Sequence, residues 1–144
     1  MRYGIENNRD WIKDRELFPV QSSVLDEEGL LSGVVKDYCV SDAISCRFLS
    51  RGDSDIYRVI TSTRNYYLKI YRPPKSLESA EAEASFVWAL SKSDVKVVKP
   101  VPRKDGQYAF QVNAPEGIRP MLMYEEAPPQ PPKELDDKLQ YLRR

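Results

Sequence analysis

A regular alternation of side chains marks a strand near the middle of the chain. Its two faces differ, because successive residues of a strand point to opposite sides. The two sets are Tyr66, Leu68 and Ile70 on one face and Tyr67, Lys69 and Tyr71 on the other. Lys69 is therefore expected in the middle of an aromatic strand face. A lone lysine of this kind is most often an edge-strand residue whose ammonium reaches solvent.

Residues 75–92, which follow two prolines, have the hydrophobic period of an α-helix. Apolar side chains recur three and four positions apart, at Leu77, Ala80, Ala84, Phe86, Val87, Trp88 and Leu90. Glu83 lies within this apolar stripe, where an unpaired carboxylate would cost free energy. Lys69 is the nearest plausible counter-charge in the sequence. The pattern predicts a strand followed by a helix, with an ion pair between Lys69 and Glu83.

Other elements are predicted on both sides of this unit. Strands are expected at residues 40–49, 55–62, 95–101, 108–112 and 118–124. An amphipathic helix is expected before them, with Ser23 as a candidate N-cap. Its apolar face would consist of Leu30, Leu31, Val34, Val35 and Tyr38. The predicted fold class is α+β: a curled antiparallel β-sheet with one helix inserted between its third and fourth strands, plus an N-terminal helix.

Four segments of the chain follow one another in a characteristic order. They are the loop at residues 49–59, the strand Tyr67-Leu-Lys-Ile-Tyr, the helix segment Glu83-Ala-Ser-Phe-Val-Trp-Ala-Leu and the strand Met121-Leu-Met-Tyr-Glu-Glu-Ala. This order resembles the N-terminal lobe of the aminoglycoside/choline phosphotransferase family, which shares the protein-kinase-like fold. The resemblance covers roughly residues 20–127. No single motif is specific, but the order and spacing of the four together are.

The resemblance implies a nucleotide site. In such lobes a lysine on the third strand binds phosphate oxygens, and a helix glutamate orients that lysine. Lys69 would hold the α- and β-phosphates of ATP, and Glu83 would hold Lys69. The implied reaction moves the γ-phosphoryl group of ATP to a substrate hydroxyl, with magnesium. The magnesium ligands are expected from a second lobe, so no residue of this chain is assigned to the metal or to catalysis.

Two stretches of backbone complete the implied site. The loop backbone that would cover the phosphates is that of Arg51, Gly52, Asp53 and Ser54. The backbone that would bind adenine is that of Tyr124, Glu125, Glu126 and Ala127, with Met123 at the back of the pocket. Taken alone, the loop is more typical of a plain hairpin turn rich in aspartate and serine. Asp53 and Asp55 would repel phosphate, so we expect their carboxylates to point away from it or to be paired.

Composition and charge exclude several classes of protein. The 22 basic and 22 acidic residues cancel, which argues against nucleic acid or an acidic membrane as partner. No apolar run approaches the length of a membrane span, and the first residues lack the apolar core of a signal peptide. A cytoplasmic protein is expected. We predict an N-terminal arm at residues 1–19, the lobe at 20–127, and a proline-rich linker with the start of a second-lobe helix at 128–144.

The absence of histidine narrows the chemistry further. It excludes Ser-His-Asp and Cys-His catalysis and histidine-ligated metals. It also excludes the family's catalytic loop, which resembles His-Gly-Asp followed by an asparagine. We therefore expect this chain alone not to transfer phosphate, and a second lobe or a partner chain to cover its exposed face. Cys39 and Cys46, the two cysteines, are expected to be structural thiols.

Two other functions fit the same residues. One is a non-catalytic interaction module that keeps the lobe fold and binds a partner through its bare sheet face. The other is a single-stranded nucleic-acid binder, because Tyr66, Tyr67, Lys69 and Tyr71 interleave aromatic and basic groups. Net neutrality and the acidic helix that follows argue against the second.

Overall fold

The structure is a computed structural model that describes residues 18–127. Its centre is a five-stranded antiparallel sheet with the order β1-β2-β3-β5-β4. The strands are β1 (Ala43–Arg51), β2 (Ser54–Thr61), β3 (Asn65–Tyr71), β4 (Phe110–Ala114) and β5 (Gly117–Glu125). The mixed α+β class and the antiparallel sheet are as predicted. The predicted arm, except for its last two residues, and the predicted linker and helix at 128–144 lie outside the described residues.

Two helices and one short 3₁₀ turn pack against this sheet. They are α1 (Glu27–Gly33), the 3₁₀ turn Val35–Asp37 and α2 (Leu77–Ser91). Asp26 caps α1 by accepting a hydrogen bond from the Gly29 N–H at 2.8 Å. The predicted cap at Ser23 is therefore wrong, since that hydroxyl bonds Glu116 instead. Ser76 caps α2 in the same way as Asp26 caps α1, and α2 lies between β3 and the later strands as predicted.

Buried clusters lie on both faces of β3. On one face, α1 and the 3₁₀ turn cover a large cluster. Its fully buried members include Val35, Tyr38, Tyr57, Leu68, Ile70, Met121 and Met123. On the other face, the buried residues that α2 packs against Tyr71 and Leu122 are small, Ala80 and Ala84. Small side chains let the helix approach the sheet closely, which brings Glu83 toward Lys69.

The predicted strand at residues 95–101 is wrong. Only one isolated bridge forms there, between Pro100 and Tyr124. Proline has no N–H to donate to a ladder, and Val95 and Val98 stay exposed. The segment is nevertheless tied to β5, because the Val101 N–H donates to the Met123 carbonyl at 2.8 Å.

Other boundaries also shift for local reasons. β1 begins at Ala43 rather than residue 40, and β4 begins at Phe110 rather than residue 108. Tyr108 is kept out of the ladder because its N–H donates to the Glu81 carboxylate on α2. Phe86 is exposed although the helical stripe predicted it to be inward-facing.

No helix within residues 18–127 is long and apolar enough to cross a membrane.

Candidate functional site

Lys69 stands at the centre of the sheet, on the face that α2 covers. β3 lies between β2 and β5, and Lys69 pairs with Ile56 on one side and Leu122 on the other. It is therefore a central-strand residue rather than the edge-strand lysine that is most common. Its side chain is 35% exposed, so the ammonium remains accessible from solvent.

Four side chains lie close to the Glu83 carboxylate, and they come from β3, β5 and the turn before α2. Its Oε1 accepts a hydrogen bond from the Lys75 ammonium at 2.9 Å. Its Oε2 accepts hydrogen bonds from the hydroxyls of Tyr71 and Tyr124, the latter at 3.3 Å. The Lys69 ammonium lies 4.0 Å from the same Oε2. The predicted proximity of Lys69 and Glu83 is thus confirmed, but the shorter contacts of Glu83 are to groups that the sequence did not indicate.

These contacts set the ionisation of the cluster. Burial alone would raise the pKa of Glu83, but hydrogen bonds from Tyr71 and Lys75 and the charges of Lys69 and Lys75 outweigh it and lower that pKa. The pKa of Tyr71 is raised by burial and by its hydrogen bond to Glu83. Burial and the Glu83 charge raise the pKa of Tyr124 in the same direction. At neutral pH Glu83 is therefore a carboxylate, and Tyr71 and Tyr124 are neutral phenols.

An open cavity of about 660 Å³ lies beside Lys69. Its walls come from β2, β3, α2, the segment before Pro100 and the end of β5. The lining residues are Ile56, Tyr67, Lys69, Val87, Val97, Val98, Tyr124, Glu125 and Ala127. This volume is within the range of small-molecule sites, which are largely apolar with a few polar groups that fix orientation. The cavity therefore suits a flat apolar group with an anionic extension toward Lys69.

The end of β5 lines this cavity only in part as predicted. Tyr124, Glu125 and Ala127 do line it. Met123 does not, because it points to the opposite face of the sheet and is fully buried in the core there. Placing Met123 at the back of the pocket was therefore wrong, and the strand period explains why.

The backbone N–H groups of this segment are partly used. The Glu125 N–H donates to the Lys99 carbonyl at 2.9 Å, and the Glu126 N–H donates to the Asn65 carbonyl at 3.2 Å. The Glu126 carboxylate accepts from the Tyr67 hydroxyl at 2.7 Å and from Arg58 at 3.1 Å. Glu126 thus fixes the Tyr67 ring that forms one wall of the cavity.

The predicted phosphate loop forms the hairpin between β1 and β2. Its Gly52 N–H donates to the Ser54 carbonyl at 3.0 Å, so that group is already satisfied. Arg51, Gly52, Asp53 and Ser54 do not line the cavity beside Lys69. Arg51 and Gly52 instead border a separate hollow with Ser22 and Arg72. In the structure this loop is a hairpin turn. That its backbone covers the phosphates of a nucleotide stays a prediction.

Asp55 is paired, as expected for a carboxylate next to this loop. It is fully buried and bonds Arg119 at 2.9 Å, Arg72 at 2.7 Å and Arg51 at 3.2 Å. Burial would raise its pKa, but the hydrogen bonds and charges of Arg119 and Arg51 lower it. Arg119, also fully buried, was missed in the sequence. A lone arginine in the otherwise apolar strand at 118–124 was the available signal.

Within residues 18–127, no three histidine, cysteine, aspartate or glutamate side chains converge so as to hold a metal ion. The described residues thus offer a lysine, an apolar cavity and a held carboxylate, without a metal centre of that kind.

Comparison with known proteins identifies the family of this chain. The model of the APH phosphotransferase enzyme family matches residues 45–143. An uncharacterized protein of Synechocystis sp. is 36% identical over 78% of this chain, and one of Deinococcus radiodurans is 31% identical over 77%. The chain covers 32% of each of these two relatives, so it spans about a third of their length.

Two solved kinases have a similar fold. A microcompartment-associated aminopropanol kinase aligns with a TM-score of 0.55 and 24% identity, over 75% of this chain and 34% of its own. An amicoumacin kinase in complex with AMP-PNP, Ca²⁺ and Ami aligns with a TM-score of 0.55 and 20% identity, over 84% of this chain and 34% of its own. With the family match over residues 45–143, these findings show that the chain belongs to the APH phosphotransferase enzyme family.

Proposed function

We propose that this chain is the ATP-binding lobe of a small-molecule kinase that moves the γ-phosphoryl group of ATP to a substrate hydroxyl. The observation that carries the proposal is Lys69, an accessible ammonium at the edge of an apolar cavity of about 660 Å³. The family and the kinase-like fold support the reaction class. The amicoumacin kinase, whose complex holds AMP-PNP and Ca²⁺, supports the use of a nucleotide and a divalent ion.

In this proposal the apolar part of the cavity holds the adenine base, and the part near Lys69 holds the phosphates. The branched side chains of Ile56, Val87 and Val98 would contact the two faces of the adenine ring. Lys69 would bind the α- and β-phosphate oxygens, since an ammonium is a compact charge with three donors. Backbone groups at the end of β5 would bind the edge of the base.

The other parts of the reaction belong to the rest of the protein. Phosphoryl transfer depends on positioning and on neutralising charge, which requires metal ligands and a group that orients the acceptor. The described residues show no metal cluster of three such side chains, and the chain spans about a third of its relatives' length. We therefore assign the magnesium ligands, the base and the acceptor site to a second lobe.

Titration calorimetry with ATP and magnesium tests the proposal on the purified chain. We expect binding in the range of roughly millimolar, or about 4 kcal/mol, because one lobe contacts only one side of the nucleotide. Lys69→Met should weaken binding by about tenfold or more, equivalent to ~1.4 kcal/mol. Lys36→Met is the matched control, since Lys36 is exposed on the 3₁₀ turn. Equal affinity of the Lys69 variant and the control would contradict the proposal.

The chain alone should release no ADP above background in a parallel assay. Turnover that scales with chain concentration and survives Lys69→Ala would show that an acid of this chain performs the chemistry. That outcome would overturn the division of labour between two lobes.

One observation favours the alternative of a protein-interaction module. Phe86 on α2 is 65% exposed, and Val95 just after the helix is 52% exposed. A contiguous patch of exposed apolar side chains is typical of a surface that a partner covers. The calorimetry separates the two functions: a folded chain without nucleotide affinity favours the interaction module.

A further inference from the structure

We propose that Lys75 is a positioning residue for the nucleotide site: with Tyr71 it holds Glu83, so that the Lys69 ammonium stays available to phosphate. The proposal rests on the proposed function, because it concerns the same lysine. It assigns a role to a residue just before helix α2, outside the lysine–glutamate pair that the resemblance implies.

The two oxygens of Glu83 have different partners. Oε1 is bound by Lys75 at 2.9 Å. Oε2 already accepts hydrogen bonds from two phenol hydroxyls. The Lys69 ammonium lies farther away, 4.0 Å from Oε2. An N–H···O hydrogen bond is normally 2.7–3.2 Å long. The Lys69 ammonium is thus near Glu83 but not hydrogen-bonded to it, and within residues 18–127 this ammonium donates no hydrogen bond.

Tyr71 links the two lysines. The Lys69 ammonium lies 4.9 Å from the centre of the Tyr71 ring, and the Lys75 ammonium lies 4.6 Å from it. Both distances are within the range of a cation–π contact. The hydroxyl of the same ring donates to Glu83. Tyr71 therefore places both ammoniums and the carboxylate around one rigid side chain.

The position of Lys75 is fixed by its backbone as well. Its N–H donates to the Arg72 carbonyl at 3.1 Å, in the turn that leads to the cap residue Ser76. This turn aims the side chain along α2 toward Glu83, eight residues later. An ammonium at a helix N-terminus is disfavoured by the helix dipole, so its pairing with Glu83 also relieves a local cost.

The charge balance shows why a second lysine matters. If Lys69 were the only counter-charge of Glu83, transferring Lys69 to a phosphate would leave a half-buried carboxylate uncompensated. With Lys75 bonded to Glu83, Lys69 can bind an anion without that loss. The three charged groups sum to one positive charge, which favours an anionic ligand.

Two measurements on the full chain test the role of Lys75. The first is the Glu83 carboxyl titration, followed by ¹³C NMR without nucleotide. Lys75→Met should raise the pKa of Glu83 more than Lys69→Met does, because Lys75 contributes a hydrogen bond as well as a charge. The second is the ATP affinity, which Lys75→Met should lower about three- to tenfold as Lys69 becomes the direct partner of Glu83. Lys75→Arg should restore most of both values.

The outcomes separate the two proposals. If the wild-type chain binds no ATP, the proposed function fails, and the role of Lys75 toward phosphate fails with it. If wild type binds and Lys75→Met binds equally well with an unchanged Glu83 titration, only the positioning role is overturned. A larger pKa change in Lys69→Met than in Lys75→Met would overturn it too. Should Lys75→Met unfold, Lys75→Gln replaces it, with folding checked by circular dichroism.

Discussion

Asp55 shows at the residue scale how charge is stabilised inside this small domain. Its side chain and that of Arg119 are 1% and 0% exposed, with an oxygen–nitrogen distance of 2.9 Å. Removing one partner of a buried pair leaves the other charge without compensation. We therefore expect Asp55→Ala to lower the free energy of unfolding by about 3–5 kcal/mol in urea denaturation.

Asp53→Ala is the matched control for this variant, because Asp53 is exposed in the same hairpin. We expect its effect to stay within about 0.5 kcal/mol. A similar small effect for Asp55→Ala would contradict the structural role assigned to the Asp55–Arg119 pair.

We expect the folded chain to lose stability in acid, because of the carboxyl groups of Asp55, Glu83 and Glu116. The pKa of each is lower in the folded chain than its ordinary value, which is 3.8 for Asp55 and 4.5 for the two glutamates. The unfolded chain then binds protons at higher pH than the folded chain, so the unfolding free energy falls as pH drops below those values. Urea midpoints measured from neutral pH downward should decrease below about pH 4.5. A midpoint that is flat or rises in this range would contradict the assignment.

The two cysteines should differ in reactivity. Cys46 is buried in the core, where burial, with a contribution from the Glu27 charge, raises the pKa of its thiol to about 12. Cys39 is exposed. Because the thiolate is the reactive form, a disulfide reagent should modify Cys39 quickly and Cys46 only on unfolding. Cys39→Ser should remove the fast phase, and equal rates for both thiols would show that Cys46 is not enclosed.

At the scale of elements, Glu81 ties helix α2 to the segment before β4. Its carboxylate accepts the N–H groups of Tyr108 at 3.0 Å and Ala109 at 2.8 Å. Glu81→Ala should therefore speed hydrogen exchange at these two amides and lower stability by about 1–3 kcal/mol. Glu78→Ala, an exposed change on the same helix, is the control. Unchanged protection of both amides in Glu81→Ala would show that the contact does not persist in solution.

The elements that could be predicted are those whose pattern is local. The alternation around Lys69 predicted the two faces of β3, because successive side chains of a strand point to opposite sides of the sheet. The helix predicted at residues 75–92, observed as Leu77–Ser91, followed from its apolar spacing. The failed strand at residues 95–101 shows the limit of this method, since Pro100 interrupts the segment and Val95 and Val98 are exposed.

The site was predictable only in part for a related reason. Lys69 and Glu83 could be paired, because each is a charge in an apolar pattern. Lys75 and Tyr71 gave no such signal, since their approach to Glu83 depends on how closely Ala80 and Ala84 let the helix pack on the sheet. Met123 does not face the cavity beside Lys69, because the side of β5 that faces this cavity depends on the strand register, which the sequence alone did not give.

At the scale of the whole molecule, the chain supplies one wall of a site. It spans about a third of the length of its curated relatives, and its cavity beside Lys69 is open. An open cavity leaves a bound nucleotide partly in water, which screens its attraction to Lys69. Under the proposed function, this chain would contribute to nucleotide binding, and a second lobe would supply the groups for catalysis.

Amide chemical-shift mapping during an ATP titration tests the central claim, which is that the cavity beside Lys69 is the nucleotide site. The account predicts shift changes at Lys69, Tyr124, Glu125 and Ala127, none in the first half of β1, and their loss in Lys69→Met. Shift changes confined to the hairpin at Gly52, or a pattern that Lys69→Met leaves unchanged, would contradict it.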